Sequence, residues 1–379
     1  MPFDPYLSVV ATARNDDHGG NLLGRLQTFV NALMAQARIY ALPVELVLVE
    51  WNPPARRPPL AEAVRWPAGT GPCRVRILTV PPEIHARYRY AEALPLYQMI
   101  GKNVGIRRAE GEFILATNID VLFSSELWEF LATQRLAADR MYRLDRYDVA
   151  ADVPTGASPA DQLAWCRSHL LRVNARDGTF PVTAEGLPIR PQPAAAPAAR
   201  AGEYALAGAR LLRDWVRGKR AIPPLPDLLH PRREPEVRAA AVHTNACGDF
   251  TLVHRRHWHD LRGYPEFDMY SMNIDSVFCY MAHCGGAVEE VLADPMRIYH
   301  IEHGSGWTPE NHNLLFERLA AKGIPWLEFD EVLGWAAQME RLQTTMVFNH
   351  EDWGLATCDL REWKAASSVS EGPIPSGSA

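Results

Sequence analysis

The chain has 379 residues, 47% hydrophobic and 22% charged, enough for one large α/β domain with a real core or for two ordinary ones. Its formal net charge of −6 leaves no basic footprint for nucleic acid or an anionic membrane, so a charged ligand has to be met by local groups. The six cysteines (Cys73, Cys166, Cys247, Cys279, Cys284, Cys358) are scattered without a CxxC pair, which argues for free thiols over a disulfide scaffold or a zinc site. No run approaches the ~18 apolar residues of a membrane span, and Met1-Pro2-Phe3-Asp4-Pro5 lacks the regions of a signal peptide. A cytoplasmic protein with no integral membrane segment and no nucleic-acid partner is expected.

The first third alternates strand and helix. Residues 7–13 are apolar and β-branched and end in the polar cluster Arg14-Asn15-Asp16-Asp17-His18-Gly19-Gly20, which reads as a buried strand and a loop. Leu22, Leu26, Phe29, Leu33 and Ala37 recur at three- and four-residue steps, predicting an amphipathic helix over 21–40. Strands follow at 44–49 and 75–80, each stopped by a Pro-Pro pair, then a helix at about 94–108 and a strand at 112–117. Such alternation predicts a mostly parallel, doubly wound sheet with ligands beyond the carboxyl ends of its strands. Arg14–Asp17, Glu50–Asn52 and Asn118–Asp120 all sit at such ends.

Residues 151–240 change character. Prolines among alanines predict an irregular insertion, with one helix at 203–217. Regular signals return as a strand at 249–253 and a buried helix at 274–283, within a second half of the same domain spanning 241–310. Surface helices at 315–322 and 333–342 make an extension to 366. A Ser/Gly/Pro-rich tail over 367–379 is expected to be disordered.

Asn118-Ile119-Asp120 is the most informative triplet. On an extended backbone Asn118 and Asp120 point the same way, and an amide oxygen beside a carboxylate suits Mg²⁺ or Mn²⁺ bound together with a diphosphate. Polar residues making turn hydrogen bonds are the plainer alternative.

Several short motifs in order resemble the GT-A fold glycosyltransferases of the family-2 kind. They are Arg14-Asn15-Asp16 after the first strand, Glu50 ending the second, Asn103-x-Gly105, Ala109-x-Gly111 and the strand to Asn118-x-Asp120. That family carries D-x-D at this strand end. The resemblance implies Asp120 as metal ligand, with Asn118 standing in the first, nucleotide-contacting position as a neutral amide. In the second half, Gly263-Tyr264-Pro265 followed by Asn273-Ile274-Asp275 is similar to the family's acceptor segment, which implies Asp275 as the general base of an inverting transfer. A helix N-terminus is expected to lower the pKa of Asp275, and a helix cap is its plainer role.

The run from Ile298 to His303 resembles the late His segment of metal-dependent members, implying His300 or His303 as a further ligand; imidazole favours Mn²⁺ over Mg²⁺. If the run is extended, His300 and Glu302 share one face and His303 takes the other. Gly304-Ser305-Gly306-Trp307-Thr308-Pro309 reads as a lid. Arg14, Glu50, Asn52, Lys102 and Asn103 are further donor-binding candidates, and Asp249, Trp258 and Tyr264 are acceptor-binding candidates.

The expected activity is transfer from a nucleoside-diphosphate sugar, UDP-sugar first, to a glycan, lipid-linked or small-molecule acceptor. Two rivals remain open. A nucleotidyltransferase would want a basic Gly-rich loop where Asp16 and Asp17 stand, and a catalytically inactive sugar-binding relative would explain Asn118.

Overall fold

A computed structural model describes residues 3–67, 69, 71–190, 239–304, 308 and 311–365. The chain divides into two units, Met1–Pro188 with Ala239–Ala379, and Ile189–Arg238. The expected helix at 203–217, the tail at 367–379 and most of the 304–309 lid lie outside the described residues. Everything below concerns the first unit.

Its larger sheet has eight strands. In chain order these are β1 (Leu7–Ala13), β2 (Val44–Trp51), β3 (Cys73–Val80), β4 (Phe113–Ala116), β6 (Arg140–Leu144), β10 (Thr251–His254), β11 (Val288–Leu292) and β13 (Arg361–Lys364). Their spatial order is β11-β6-β10-β4-β1-β2-β3-β13. The four predicted strands, β3-β2-β1-β4, run parallel. β10 enters antiparallel between β4 and β6, and β13 closes the far edge antiparallel to β3.

Every residue of β1 and β2 is buried, because helices cover both faces. Side chains alternate between two cores. Val9, Ala11, Leu46 and Leu48 pack with Leu26, Phe29 and Leu33 of the helix Leu22–Ile39. Val10, Val47 and Val49 pack on the opposite side with Val104 of the helix Gln98–Arg108 and with Trp258 and Phe278. The second helix begins at Gln98, later than the sequence suggests, since Pro95 interrupts its first turn.

A smaller sheet of order β5-β12-β7-β8-β9 was not foreseen as a unit. It contains β5 (Val121–Phe123), β7 (Arg146–Val149), β8 (Leu170–Ala175), β9 (Gly178–Pro181) and β12 (Ile298–Ile301). The stretch 151–190, expected to be irregular, therefore supplies the helix Pro159–Ser168 and the β8–β9 hairpin. Its composition hid this because the strands are short, the polar–apolar alternation of Arg172-Val173-Asn174-Ala175 covering only four residues.

The two sheets are joined at Thr117–Asp120, a turn between β4 and β5 and not the strand extension the sequence implied. All six cysteines are free, and no helix among the described residues is long and apolar enough to cross a membrane.

Candidate active site

A cavity of about 670 Å³ opens at the carboxyl ends of β1 and β4, where the loop after β1, the Thr117–Asp120 turn and the second sheet meet. Its lining includes Arg14, His18, Arg25, Asn118, Asp120, Arg146, Asp249, Asp275, His300 and His303. This is where an open parallel sheet leaves room for a ligand.

Asp120, His300 and His303 each offer a ligand atom, all within 4.8 Å of one another. Asp120 Oδ2 lies 3.3 Å from His303 Nε2, and Oδ1 lies 3.9 Å from His300 Nε2. Backbone pairing creates the cluster: β12 runs antiparallel to β5, and the Ile301 amide donates to the Asp120 carbonyl at 2.9 Å. The face argument made from the sequence fails for His303. β12 ends at Ile301, and beyond it His303 reaches the same carboxylate as His300.

The cluster fits a divalent cation on its own terms. Asp120 is 6% exposed, and its Oδ1 is buried without a hydrogen-bond partner among the described residues. An orphaned carboxylate oxygen between two imidazoles is costly unless something positive meets it. One carboxylate with two imidazoles suits Mn²⁺ and related transition metals better than Mg²⁺ or Ca²⁺. Burial works against ionising Asp120, but His303, His300 and Arg25 together hold its carboxyl well below the usual range. Burial and Arg146 oppose a charged His300, yet Asp148 and Asp120 raise its pKa above the ordinary imidazole value.

Behind the cluster lies a group of charges of which the sequence reading named only Asp249. Asp148 is fully buried, and its Oδ1 lies 3.2 Å from His300 Nδ1. Arg146 pairs with Asp148 at 2.8 Å and, through another nitrogen, donates to Asp249. Asp249 in turn accepts from Asn118 Nδ2, whose Oδ1 accepts from Gln98 at 2.7 Å. Arg25 clamps the loop after β1, donating to the Gly20 and His18 carbonyls, with its Nε 3.5 Å from Asp120. His18 sits with its ring 6.1 Å from that of His303, and burial followed by that neighbour lowers its pKa. The available signal was charged residues two apart around one apolar residue, as in Arg146-Tyr147-Asp148.

Asp275 lines the cavity from the first turn of the helix Ile274–Cys284. Its Oδ1 accepts from the Ser276 amide at 3.0 Å. The expected lowering of its pKa is overturned. Burial raises it, and this outweighs Cys247, Lys102 and the Ser276 amide, which all act the other way. Space at its carboxylate depends on Gly248, where an added Cβ would stand 2.7 Å from Asp275 Oδ2.

The remaining candidates divide. Arg14 faces the cavity, its Nε donating to the Asn52 carbonyl at 2.7 Å and its Nη1 pairing with Asp16 at 2.6 Å; Asp249 also faces it. Lys102 does not: it is fully buried and donates to the Gly248 carbonyl at 2.7 Å, beneath the cavity wall. Glu50 is buried and accepts the Leu60 amide at 2.8 Å, so it fixes a loop. Asn52 takes a left-handed conformation (φ 47°) and donates to the Pro95 carbonyl at 3.2 Å.

Asn103 is buried, donating to the Tyr264 carbonyl at 2.8 Å and to Glu266 at 3.0 Å. Trp258 and Tyr264, expected at the acceptor, belong to the core. The Trp258 ring stacks on Phe278 at 3.9 Å and its Nε1 donates to the Ile114 carbonyl, leaving no face for a sugar.

No protein-family model matches the chain, and no curated protein matches it in sequence. Among solved structures it is similar to residues 1–349 of S. aureus TarS, at 13% identity and a TM-score of 0.39, covering 89% of this chain and 71% of that one. The same TarS fragment in complex with UDP-GlcNAc gives 12% identity and a TM-score of 0.42, covering 89% and 73%. The longer S. aureus TarS structure is similar at 12% identity and a TM-score of 0.36, over 86% of this chain and 41% of that one. At these similarities the function has to be read from the site's own residues.

Proposed function

We propose that the protein is a glycosyltransferase, moving a sugar from a nucleoside-diphosphate donor, UDP-sugar first, to an acceptor hydroxyl. One observation carries this reading. One cavity holds three side chains placed to share a cation, Asp120, His300 and His303, together with a separate carboxylate, Asp275, that lies outside the cluster. Such a division of labour suits displacement of a diphosphate by a hydroxyl. A divalent cation held by the cluster would neutralise charge developing on the leaving diphosphate.

The other roles fall to the chain itself. Arg14 and Arg25 line the same cavity and can donate to the phosphate oxygens of a donor there, with the neutral His18 ring beside them. Arg25 and Asp120 brace the loop that carries His18. Asp275 takes the proton of the acceptor hydroxyl as its oxygen bonds to the anomeric carbon and the bond from that carbon to the diphosphate breaks. A carboxylate with a raised pKa is a stronger base than an exposed one. With Asp275 as base and the hydroxyl attacking the anomeric carbon directly, the proposed transfer is a single displacement with inversion.

The test is a thermal-shift panel of UDP-, GDP-, CMP- and dTDP-sugars, each with and without Mn²⁺. A ligand at 100 times its Kd stabilises the native state by about 2.7 kcal/mol, so the right donor stands out. The reading predicts a shift that needs both nucleotide sugar and Mn²⁺. No shift with any member of the panel counts against it.

A further inference from the structure

We infer that Asp148 is the positioning residue of the cation cluster: it keeps the His300 proton on Nδ1, so that Nε2 is the nitrogen bared toward Asp120 when a cation is bound. The inference rests on reading Asp120, His300 and His303 as a cation site.

Strand pairing sets up the contact. β12 and β7 are parallel neighbours, and their register places His300 directly beside Asp148. The ring then has carboxylates on both sides, Asp148 Oδ1 at 3.2 Å from Nδ1 and Asp120 Oδ1 at 3.9 Å from Nε2. A carboxylate only accepts hydrogen bonds, so the nitrogen facing the permanently held Asp148 keeps the proton. Asp120 then receives the nitrogen with a free lone pair, the form that binds a cation.

Asp148 cannot turn away from this task. It is fully buried, with Arg172 Nε donating to Oδ2 at 2.6 Å, Asn174 Nδ2 to the same oxygen at 3.1 Å, and Arg146 Nε 2.8 Å from Oδ1. The pairing Asp148–Arg172 is again a cross-strand one, between β7 and β8. The donated hydrogen bonds, from Arg172, Asn174 and Arg146 Nη2 at 3.3 Å, all go to Oδ2, which leaves Oδ1 turned toward His300 without one. Oδ1 instead lies between Arg146 Nε at 2.8 Å and His300 Nδ1 at 3.2 Å, within charge-pairing distance of both, so the brace ends against the ring of a candidate ligand.

The substitution Asp148→Asn makes the claim sharp. Three donors (Arg146, Arg172 and Asn174) would compete for the single amide oxygen, so the amide NH₂ is left to face His300. That donor demands a bare Nδ1 and moves the proton to Nε2, the wrong nitrogen for the cluster. Supporting groups of this kind typically change metal affinity by about 10–100-fold.

The experiment measures Mn²⁺ affinity by electron paramagnetic resonance, with UDP present, for wild type, D148N, H300A and the double variant. D148N is expected to weaken Mn²⁺ by about 10–100-fold in the wild-type background and to cost nothing further once His300 is removed. An equal loss in both backgrounds identifies a merely structural residue and overturns the inference. So does wild-type affinity in D148N. Absence of Mn²⁺ binding by wild type overturns the cation reading itself, which is a separate failure.

Should D148N not fold, histidine nitrogen NMR of the wild-type protein with Cd²⁺ decides. The signal missing from H300A must show its proton on Nδ1 and a Cd²⁺-shifted Nε2. The reverse assignment overturns the inference.

Discussion

The amide at position 118 stands where the resembling family has a carboxylate, and its surroundings give the reason. Asn118 Nδ2 donates to Asp249 Oδ1, while Gln98 donates to Asn118 Oδ1 at 2.7 Å. Asp249, 3% exposed, gives its other oxygen to Arg146. Asn118→Asp removes a hydrogen bond to a charged group, about 1.5–3 kcal/mol. It also sets two carboxylates side by side, which at about 4 Å and an effective dielectric of 20 costs about 4 kcal/mol. After relaxation the single variant should lose roughly 3–6 kcal/mol of stability.

The exchange N118D/D249N restores the pattern with its direction reversed. The new amide at position 249 accepts from Arg146 through its oxygen and donates through its NH₂ to the new carboxylate at position 118, which still accepts from Gln98. Urea denaturation in EDTA, which keeps cations from neutralising the pair, should place the double variant well above N118D. If N118D is as stable as the wild type, or the double variant is no better than N118D, the explanation of Asn118 is wrong.

Other consequences concern the base and the core. Asp275→Asn should lower kcat by about 10²–10⁴, or 2.7–5.5 kcal/mol of barrier, with Mn²⁺ affinity unchanged because Asp275 is outside the cation cluster. Burial raises the Asp275 pKa, so its ionised form costs stability above that pKa and the cost vanishes as pH falls through it. D275N should therefore unfold at a higher urea concentration than wild type near pH 7.

The same shift makes the rate fall on the acid side at a pH above that of an ordinary aspartate. The Lys102 charge opposes the shift, so Lys102→Met should move that acid limb to higher pH, and unfolding should show the loss of its bond to Gly248. Gly105→Ala would drive a Cβ to 2.5 Å from Val10 Cγ1, and a thermal melt should show about 1–3 kcal/mol lost to overpacking, with the cavity untouched.

The half of the fold with long-range periodicity was readable. β1 to β4 and their helices have apolar runs bounded by prolines and polar clusters, and these follow from local chemistry alone. The second sheet was not readable, since β5, β7, β9 and β12 have three or four residues each and a period of two is barely expressed over such a length. Asp120, Asn118, Arg14 and Asp249, singled out at strand ends, and Asp275, His300 and His303, singled out by the family resemblance, all line the cavity.

Asn103, Gly105 and Gly111 belong to the same motif run but hold the fold. Gly111 lies where a Cβ would stand 2.6 Å from the Ser8 amide nitrogen, and Asn103 ties its helix to the Tyr264 turn. A motif alone does not separate a residue that touches ligand from one that lets two elements approach. Asp148 and Arg146 escaped for another reason. Their importance comes from cross-strand register, which places Arg172, Asp148 and His300 in one row from three distant segments.

The central claim is that a cation held at Asp120 and a base at Asp275 serve one transfer reaction. The most direct measurement is Mn²⁺-dependent UDP-sugar turnover of wild type, D120N and D275N, alongside Mn²⁺ binding by each. D120N is expected to lose both binding and turnover, while D275N binds Mn²⁺ as the wild type does and loses turnover alone. Full activity in either variant, or Mn²⁺ binding unchanged in D120N, contradicts the claim.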